Sequence, residues 1–504
     1  MGSGDARLVV LAVALAGLFA TIPTPDGLTQ TGQFALATAI FAAVLWVTGA
    51  LPLPVTALLI PVLLTLFGVT PQLGDALTGF ADPVVFLLLA GFMLAAALQR
   101  QRLDRRIAYV LLLRLGTSPR RLVLAVMVAT ASLSMLISNT ATTAMMAPIG
   151  LGLATQVTGP NAGHTNLHRS LLLGIAYAAS VGGVGTLIGT PPNAIVVAAL
   201  DEFAGIQISF LEWMVVGIPV VALTLPLVWF VLTFVVFPPA TSDVSAARRK
   251  TKTALERDGP LTPAARRVAL IFCVTAGLWV LGGLGVLFED VLPAPVYTTL
   301  FGGPGPSLVG GGAHQGALYF VIVGLLSIPA LLLADTVTWD DLADIDWGTL
   351  LLLGGGLSLA NALTETGATA WLATSVFGSV IDAPLVVVLF VIVSVTILAG
   401  ELASNTAMAA ILAPVLITAG LESGGAFGVG PTDVALSLAL AGALAASYGF
   451  ALPVATPPNA IVYGTGELTR GEMLRAGLLL DVVMSLVLTV LFSLLLRVWP
   501  VLLA

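Results

Sequence analysis

The chain has 504 residues, of which 58% are hydrophobic and only 9% are charged, and its formal net charge is -7. A soluble domain carries roughly a quarter charged residues because its surface faces water, so this composition excludes an ordinary soluble protein. The apolar stretches are continuous and do not alternate with a period of two, which argues against a transmembrane β-barrel and favours helices of roughly 20 residues that cross a bilayer.

Apolar runs long enough to cross a bilayer recur along the whole chain, and the sequence therefore predicts an all-α polytopic membrane protein. The run at the start, which lacks a small-residue cleavage pattern, is expected to be a retained first helix. Two further apolar regions, 122–157 and 384–420, are interrupted by polar and then small residues, and we expect each to form a re-entrant hairpin. The eleven predicted spans lie at 8–22, 33–49, 54–70, 83–99, 170–200, 211–237, 266–288, 316–335, 348–364, 434–464 and 477–498.

The basic residues predict the orientation, because Lys and Arg are retained in short cytoplasmic loops. Seven of them fall between Arg100 and Arg121 and seven more between Arg248 and Arg267, with none between Arg267 and Arg470. Counting spans from a cytoplasmic N-terminus brings both clusters to the cytoplasmic side. The C-terminus is then expected outside, in a cell (inner) membrane.

One long polar segment, 239–265, divides the chain and is predicted to be a cytoplasmic linker. The first half of the chain (1–238) contains one hairpin and the second half (266–504) contains the other. A shorter segment, Asp335–Trp347, interleaves acidic residues with Trp and Leu. It is consistent with either a short helix at the inner interface or a solvated loop.

The residue types that form disulfides and histidine metal sites are almost absent. The single cysteine, Cys273, permits no intramolecular disulfide. The three histidines, His164, His168 and His314, lie outside the apolar runs, which argues against a metalloprotease site in the membrane. Because the spans also carry no nucleophile–base pair, an enzyme is not expected, and no feature indicates a nucleic-acid partner.

Two motifs occur twice, which indicates an internal duplication. Ser138-Asn139-Thr140 returns as Ser404-Asn405-Thr406, an offset of 266 residues (404 minus 138). TPPNAIV at 190–196 returns at 456–462 with the same offset (456 minus 190). In the predicted topology the two copies run in opposite directions through the membrane, as in the inverted repeats of transporters.

Each SNT triplet lies between two apolar segments, at the tip of a predicted hairpin. Backbone groups at such a tip lack helical partners and are tolerated in a membrane where they line a cavity or bind a ligand. The amide and hydroxyl groups can donate to a carboxylate or accept a cation, and a helix N-terminus attracts an anion. A single triplet more often makes interhelical hydrogen bonds, but two copies of both motifs favour a binding site.

The TPPN motifs are expected to interrupt the helices that contain them, since adjacent prolines remove two amide donors. The structural helix breaks are assigned to Pro191, Pro192, Asn193, Pro457, Pro458 and Asn459. Carbonyl groups just upstream would lose their partners and become hard oxygen ligands.

Acidic residues within membrane segments are candidate functional groups. Asp82, Glu365, Glu401 and Asp481 lie near the predicted ends of apolar runs, so interfacial solvation is the favoured interpretation. Glu401 is the exception, because it lies three residues before Ser404 and could orient the tip or cap a helix.

At these motifs the sequence resembles the divalent anion:sodium symporter family. The resemblance also covers WVTGALPLPVTALLIP at 46–61, GIAYAASVGGVGTLIGTPPNAIV at 174–196 and LPVATPPNAIVYG at 452–464. It implies an elevator-type transporter of C4-dicarboxylates such as succinate, malate and fumarate, coupled to two or more sodium ions. It also implies a homodimer, in which each protomer has eleven spans and two hairpins.

The resemblance also implies particular site residues. The substrate dianion would be bound by Ser138, Asn139, Thr140 and Thr190 from the first half and by Ser404, Asn405, Thr406 and Thr456 from the second. The first sodium site would use Ser134, Ser138, Asn139 and the Gly189 region, and the second Gly400, Ala403, Asn405 and the Ala455 region. Ser134 is matched by Gly400, which has no hydroxyl, so the second sodium site is expected to be weaker or built from backbone.

Other carriers remain open from the sequence: a dicarboxylate exchanger, a citrate or sulfate carrier of the same family, or a proton-coupled carrier. A channel is a different class and predicts a conductance that does not saturate. The paired, closed tips favour alternating access over a channel.

Overall fold

The computed structural model describes residues 3–114, 118–159, 165–240, 244–309, 315–377, 383–423, 427 and 429–502. His164 and His314 lie outside the described residues. The α-helices of the first half are α1 (Ser3–Thr21), α2 (Gln30–Thr48), α3 (Leu53–Leu66), α4 (Leu73–Ala76), α5 (Pro83–Arg100), α6 (Leu103–Arg114), α7 (Pro119–Ser134), α8 (Asn139–Thr158), α9 (Asn166–Gly183), α10 (Pro191–Ala204) and α11 (Phe210–Phe230). The linker region contains α12 (Ser245–Asp258). Those of the second half are α13 (Pro263–Gly282), α14 (Ala294–Phe301), α15 (Phe320–Leu333), α16 (Trp339–Ala343), α17 (Trp347–Glu365), α18 (Ala368–Phe377), α19 (Leu385–Gly400), α20 (Asn405–Ser423), α21 (Pro431–Ala446), α22 (Pro457–Gly464) and α23 (Arg470–Leu502).

Seven of the described helices are long and apolar enough to cross a membrane: α2, α5, α11 with its π-helical extension to Val236, α13, α17, α20 and α23. Four shorter apolar helices, α3, α15, α19 and α21, accompany them. Each apolar run named from the sequence carries one or two of these helices, since a helix satisfies its backbone hydrogen bonds internally. Helix α20 is long enough to span by itself, although the sequence assigned it to a re-entrant hairpin.

The two TPPN motifs coincide with gaps between helices. The first gap, residues 184–190, separates α9 from α10, and the second, residues 447–456, separates α21 from α22. In both, the proline pair occupies the first two positions of the following helix, where a missing N–H is tolerated. The preceding residues Thr190 and Thr456 have extended backbones, as expected for residues before proline.

The SNT triplets lie in the short connections from α7 to α8 and from α19 to α20. In the first connection α7 ends at Ser134 and α8 begins at Asn139. In the second, α19 ends at Gly400 and α20 begins at Asn405. Both asparagines are therefore the first helical residues after a tip, where backbone N–H groups have no helical acceptor.

Three amphipathic or polar segments form helices that the sequence did not assign. The polar linker contains α12, which packs against α6 and α8, and α6 itself occupies the first basic cluster. The acidic segment before α17 contains the short helix α16, so the helical alternative is the one observed. There Asp341 accepts a hydrogen bond from the Thr338 backbone N–H, which lowers the pKa of the Asp341 carboxyl.

The two halves pack across each other through the broken helices. Helix α10 of the first half lies against α20 of the second, and α22 of the second half lies against α8 of the first. The buried hydroxyl of Tyr177 donates to the Phe450 carbonyl at 2.9 Å, joining α9 to the second gap. Small residues allow close approach within each half, as where Gly420 meets the backbone of Ala435.

Candidate functional site

The first tip presents polar groups at the N-terminus of α8. Ser138 is the N-cap residue, and its hydroxyl accepts a hydrogen bond from the Ala141 N–H at 3.3 Å. Ser138 and Asn139 are half-buried, whereas Thr140 is exposed. The unpaired N–H groups of this first turn and the helix dipole together favour a bound anion.

Behind the first tip, three oxygen atoms share one hydrogen. The Ser134 hydroxyl oxygen lies 2.6 Å from Asn139 Oδ1 and 2.8 Å from the Ala179 carbonyl oxygen. A hydroxyl has a single hydrogen, so it satisfies only one of these two acceptors at a time. The remaining lone pairs form an oxygen-rich cluster of the kind that a hard cation prefers.

The first gap between helices presses against this cluster, and two glycines make that possible. A Cβ at Gly183 would lie 2.4 Å from Asn139 Oδ1, and a Cβ at Gly189 would lie 2.4 Å from the Gly183 carbonyl oxygen. Both distances are too short for any side chain. Gly189 is thus brought next to Gly183 and Asn139, as the sequence analysis expected for the first cation site.

Asn193 holds the first gap in shape. Its side-chain Nδ2 donates to the Gly183 carbonyl at 2.9 Å and to the Thr186 carbonyl at 2.7 Å, and the residue is fully buried. Its Oδ1 has no hydrogen-bond partner among the described residues. Thr186 in turn donates to the carbonyl of Met135 at the end of α7. One amide side chain therefore ties the gap together, and the gap is tied to the tip.

The second gap has the same arrangement 266 residues later. Asn459 donates through Nδ2 to the Gly449 carbonyl at 3.2 Å and to the Leu452 carbonyl at 3.0 Å, and it is also fully buried. Thr456, the N-cap residue of α22, accepts from the Asn459 N–H at 3.2 Å. The two TPPN motifs thus perform the same local task.

The second tip differs from the first where Gly400 replaces a serine. No hydroxyl is present to bridge the asparagine to a neighbouring carbonyl, and Asn405 Oδ1 has no hydrogen-bond partner in the described part of the chain. A Cβ at Gly400 would meet nothing closer than the Ala446 carbonyl oxygen at 3.7 Å. The position therefore has room for the missing side chain.

The second tip also carries a buried carboxylate where the first has Met135. Glu401 is 5% exposed and accepts hydrogen bonds from the N–H groups of Ala451 and Leu452, at 2.8 and 2.6 Å. It caps the amides of the second gap, so of the two roles considered it performs a capping one.

Asp481 corrects the sequence analysis. Interfacial solvation was expected, but Asp481 is 2% exposed and accepts a hydrogen bond from the Phe450 N–H at 3.3 Å. The expectation was wrong because α23 begins at Arg470, seven residues before the apolar run, which moves Asp481 well inside the helix. Sequence alone gave no signal for the long-range contact to Phe450.

Some site residues are brought together and others are not. Ser134, Asn139 and the Gly189 region meet in the first half, and in the second Gly400 lies near Gly449, which touches Ala455. Ala403 is buried, while Ser404 and Thr406 are half-buried. Across the described residues, no hydrogen bond joins one SNT triplet to the other; the halves are connected by helix packing.

Comparison with known proteins gives consistent results. The family model described as "Sodium:sulfate symporter transmembrane region" matches residues 5–504. The chain is 33% identical over 462 residues to a sodium-dependent dicarboxylate transporter, SdcS, of Staphylococcus saprophyticus, covering 90% of this chain and 84% of that protein. It is 34% identical over 450 residues to an uncharacterized transporter of Haemophilus influenzae, covering 89% and 88%.

Two solved transporter structures share the fold. The YdaH transporter of Alcanivorax borkumensis aligns with a TM-score of 0.54 at 20% identity, over 86% of this chain and 87% of that one. MtrF of Neisseria gonorrhoeae aligns with a TM-score of 0.57 at 14% identity, over 97% and 93%. These likenesses confirm the predicted all-α membrane fold. The family match over nearly the whole chain, with its similar relatives, shows that this protein is a membrane transporter, not an enzyme, and belongs to the sodium:sulfate symporter family.

Proposed function

We propose that this protein is a sodium-coupled symporter of C4-dicarboxylates, such as succinate, malate and fumarate, in the cell (inner) membrane. The observation that carries the proposal is the cluster of Ser134, Asn139 and Ala179 oxygens, which has one hydrogen among three acceptors. A cation satisfies the remaining lone pairs, and it lies next to a helix N-terminus suited to an anion. The relatives named as sodium-dependent dicarboxylate transporters support the same choice of ions.

In this proposal the cation and the dianion bind as neighbours. The first sodium ion is held by Ser134, Ser138, Asn139 and the Gly189 region, and the second by Gly400, Ala403, Asn405 and the Ala455 region. The dianion binds at the two tips and at Thr190 and Thr456. Since none of the hydrogen-bond partners found at the tips is Lys, Arg or His, bound sodium ions supply the positive charge that a dianion needs.

The conformational cycle is proposed to be an elevator movement. The halves 1–238 and 266–504 act as inverted repeats, with 122–157 and 384–420 as the re-entrant hairpins, and the protein works as a homodimer. The N-terminus is cytoplasmic and the C-terminus outside. The packing of α10 on α20 and of α22 on α8 supports a transport unit in which both tips move together.

Uptake into proteoliposomes tests the proposal. Succinate uptake is expected to require an inward sodium gradient and to stop when choline replaces sodium. Asn139→Ala and Asn405→Ala are expected to lose uptake while the protein remains folded, as judged by its elution from size-exclusion chromatography. Uptake that is unchanged in choline contradicts symport, and wild-type uptake in both variants removes the tips from the site.

Two alternatives within the family are tested by the same preparation. An exchanger requires dicarboxylate preloaded inside the vesicles, whereas the proposed symporter does not. A citrate or sulfate carrier shows competition of succinate uptake by citrate or sulfate. The sulfate in the family description makes that competition a necessary part of the panel.

A further inference from the structure

A cavity of about 370 Å³ lies far from the tips, where the first basic cluster meets the end of the linker. Four of its ten lining residues are arginines and one is acidic. The charged residues are Arg100, Arg102, Arg106, Arg257 and Asp258. A cavity with three more positive than negative charges is suited to an anion.

The arginines differ in how far they are already paired. Arg100 forms an ion pair with Asp341 at 2.9 Å, and Arg106 donates to the Gly259 carbonyl at 2.6 Å. By contrast, the side chains of Arg102 and Arg257 make no hydrogen bond or ion pair with any described residue, and both are exposed. Two guanidinium groups therefore remain available to a ligand on the same cavity wall.

The backbone at Arg102 indicates that this arginine is kept at a cost. Its φ is 55°, in the left-handed region that favours glycine. The position lies just past the cap of α5, and 265 residues further along (367 minus 102) Gly367 lies just past the cap of α17 with a φ of 75°. Where the second half uses glycine for this turn, the first half uses an arginine that points a charge into the cavity. An outlier of this kind is a reason to look for function.

The depth of the cavity in the membrane follows from its walls. It lies where the candidate span α5 ends, at Arg100, and just before the candidate span α13, with Thr262 and Ala265 on its wall. The ends of spans lie at the level of lipid headgroups. Basic pockets between spans on the cytoplasmic side bind anionic headgroups, and Arg pairs with phosphate through two parallel hydrogen bonds.

We propose that this cavity binds the phosphate ester of an anionic lipid headgroup from the cytoplasmic leaflet, through Arg102, Arg106 and Arg257. The headgroup then bridges the end of α5, the start of α6 and the end of α12. Because α12 also packs against α8, the lipid anchors the linker on which the first hairpin helix rests. A free phosphate ester has the same recognition chemistry, so the experiment has one arm for each source.

The test uses the full chain purified in a neutral detergent. Short-chain phosphatidylglycerol, phosphatidylcholine and glycerol phosphate are titrated separately while the thermal unfolding midpoint is followed, and native mass spectrometry counts the lipids that remain bound. Phosphatidylglycerol is expected to raise the midpoint at concentrations where phosphatidylcholine and glycerol phosphate do not. An equal effect of glycerol phosphate at the same concentration assigns the site to a soluble ester and overturns the lipid source.

Matched variants decide whether the cavity is responsible. Arg102→Gln and Arg257→Gln are each expected to weaken the phosphatidylglycerol response about fivefold. Arg248→Gln, which removes an exposed arginine from the same linker helix outside the cavity, is expected to retain it. Arg102→Gly relaxes the left-handed backbone, so it is expected to unfold no earlier than wild type without lipid and yet to lose the response. Equal weakening in Arg248→Gln, or no response in wild type, overturns the proposal.

Discussion

The difference between Ser134 and Gly400 gives the most direct test of the cation sites. Ser134→Ala removes one hydroxyl that bonds to either of two oxygens, at 2.6 and 2.8 Å. A net hydrogen bond is worth about 1 kcal/mol, which corresponds to about a fivefold change in an equilibrium constant. The hydroxyl oxygen is also a proposed cation ligand. We therefore expect the sodium concentration for half-maximal succinate uptake to rise about fivefold to tenfold.

Gly400→Ser is the reciprocal change. The nearest atom to a Cβ at this position is 3.7 Å away, an ordinary van der Waals contact, and Asn405 Oδ1 lacks a partner. The new hydroxyl can donate to that oxygen, so the half-maximal sodium concentration is expected to fall about fivefold.

Initial uptake rates across a sodium series in proteoliposomes measure both effects. Ser134→Gly controls for helix propensity, since glycine adds a cost of about 0.5–1 kcal/mol that the alanine variant lacks. If a folded Ser134→Ala protein has the wild-type sodium dependence, the oxygen cluster does not bind the coupling ion. If Gly400→Ser leaves the dependence unchanged while Ser134→Ala shifts it, the second tip does not hold a cation through this position.

Three further predictions follow from the gaps between helices. Asn193→Ala leaves two carbonyls without their side-chain donor and is expected to destabilise the protein by about 2 kcal/mol and to lower uptake more than tenfold, measured by thermal unfolding and succinate uptake. Gly189→Ala is expected to abolish uptake because its Cβ would meet a carbonyl at 2.4 Å, whereas Ala455→Gly is expected to retain it; equal activity in the two variants contradicts the close-packing argument. Glu401→Gln loses charge-assisted bonds to two buried amides and is expected to lower stability by about 2 kcal/mol. Met135→Leu, a volume-conserving change at the matching position, is the control and is expected to cost less than about 1.5 kcal/mol.

Local chemistry made the helix breaks predictable. Adjacent prolines determine where α10 and α22 begin, because proline lacks a backbone donor and restricts the residue before it. The positions of the SNT triplets between helices followed from polar residues interrupting apolar runs. Duplication of both motifs, visible as a constant offset, linked these features to one another before any contact was known.

What could not be predicted depends on contacts distant in sequence. Glu401 caps amides 50 and 51 residues away, so no local pattern reveals that role. Helix α12 was missed as a helix because a polar segment carries no apolar period, although it is held by packing against α6 and α8. Bonds made by Asn193 with the gap were also invisible, since the motif shows an amide but not which carbonyls it meets.

The crossed packing of the broken helices has a consequence for synthesis of the chain. Helix α10 emerges from the ribosome about 200 residues before its neighbour α20, and α8 waits for α22, which begins at Pro457. Neither tip has its full set of neighbours until more than nine-tenths of the protein has been made. Nascent or prematurely terminated chains are therefore expected to be inserted but inactive, so that an incomplete product does not dissipate the ion gradient of the cell.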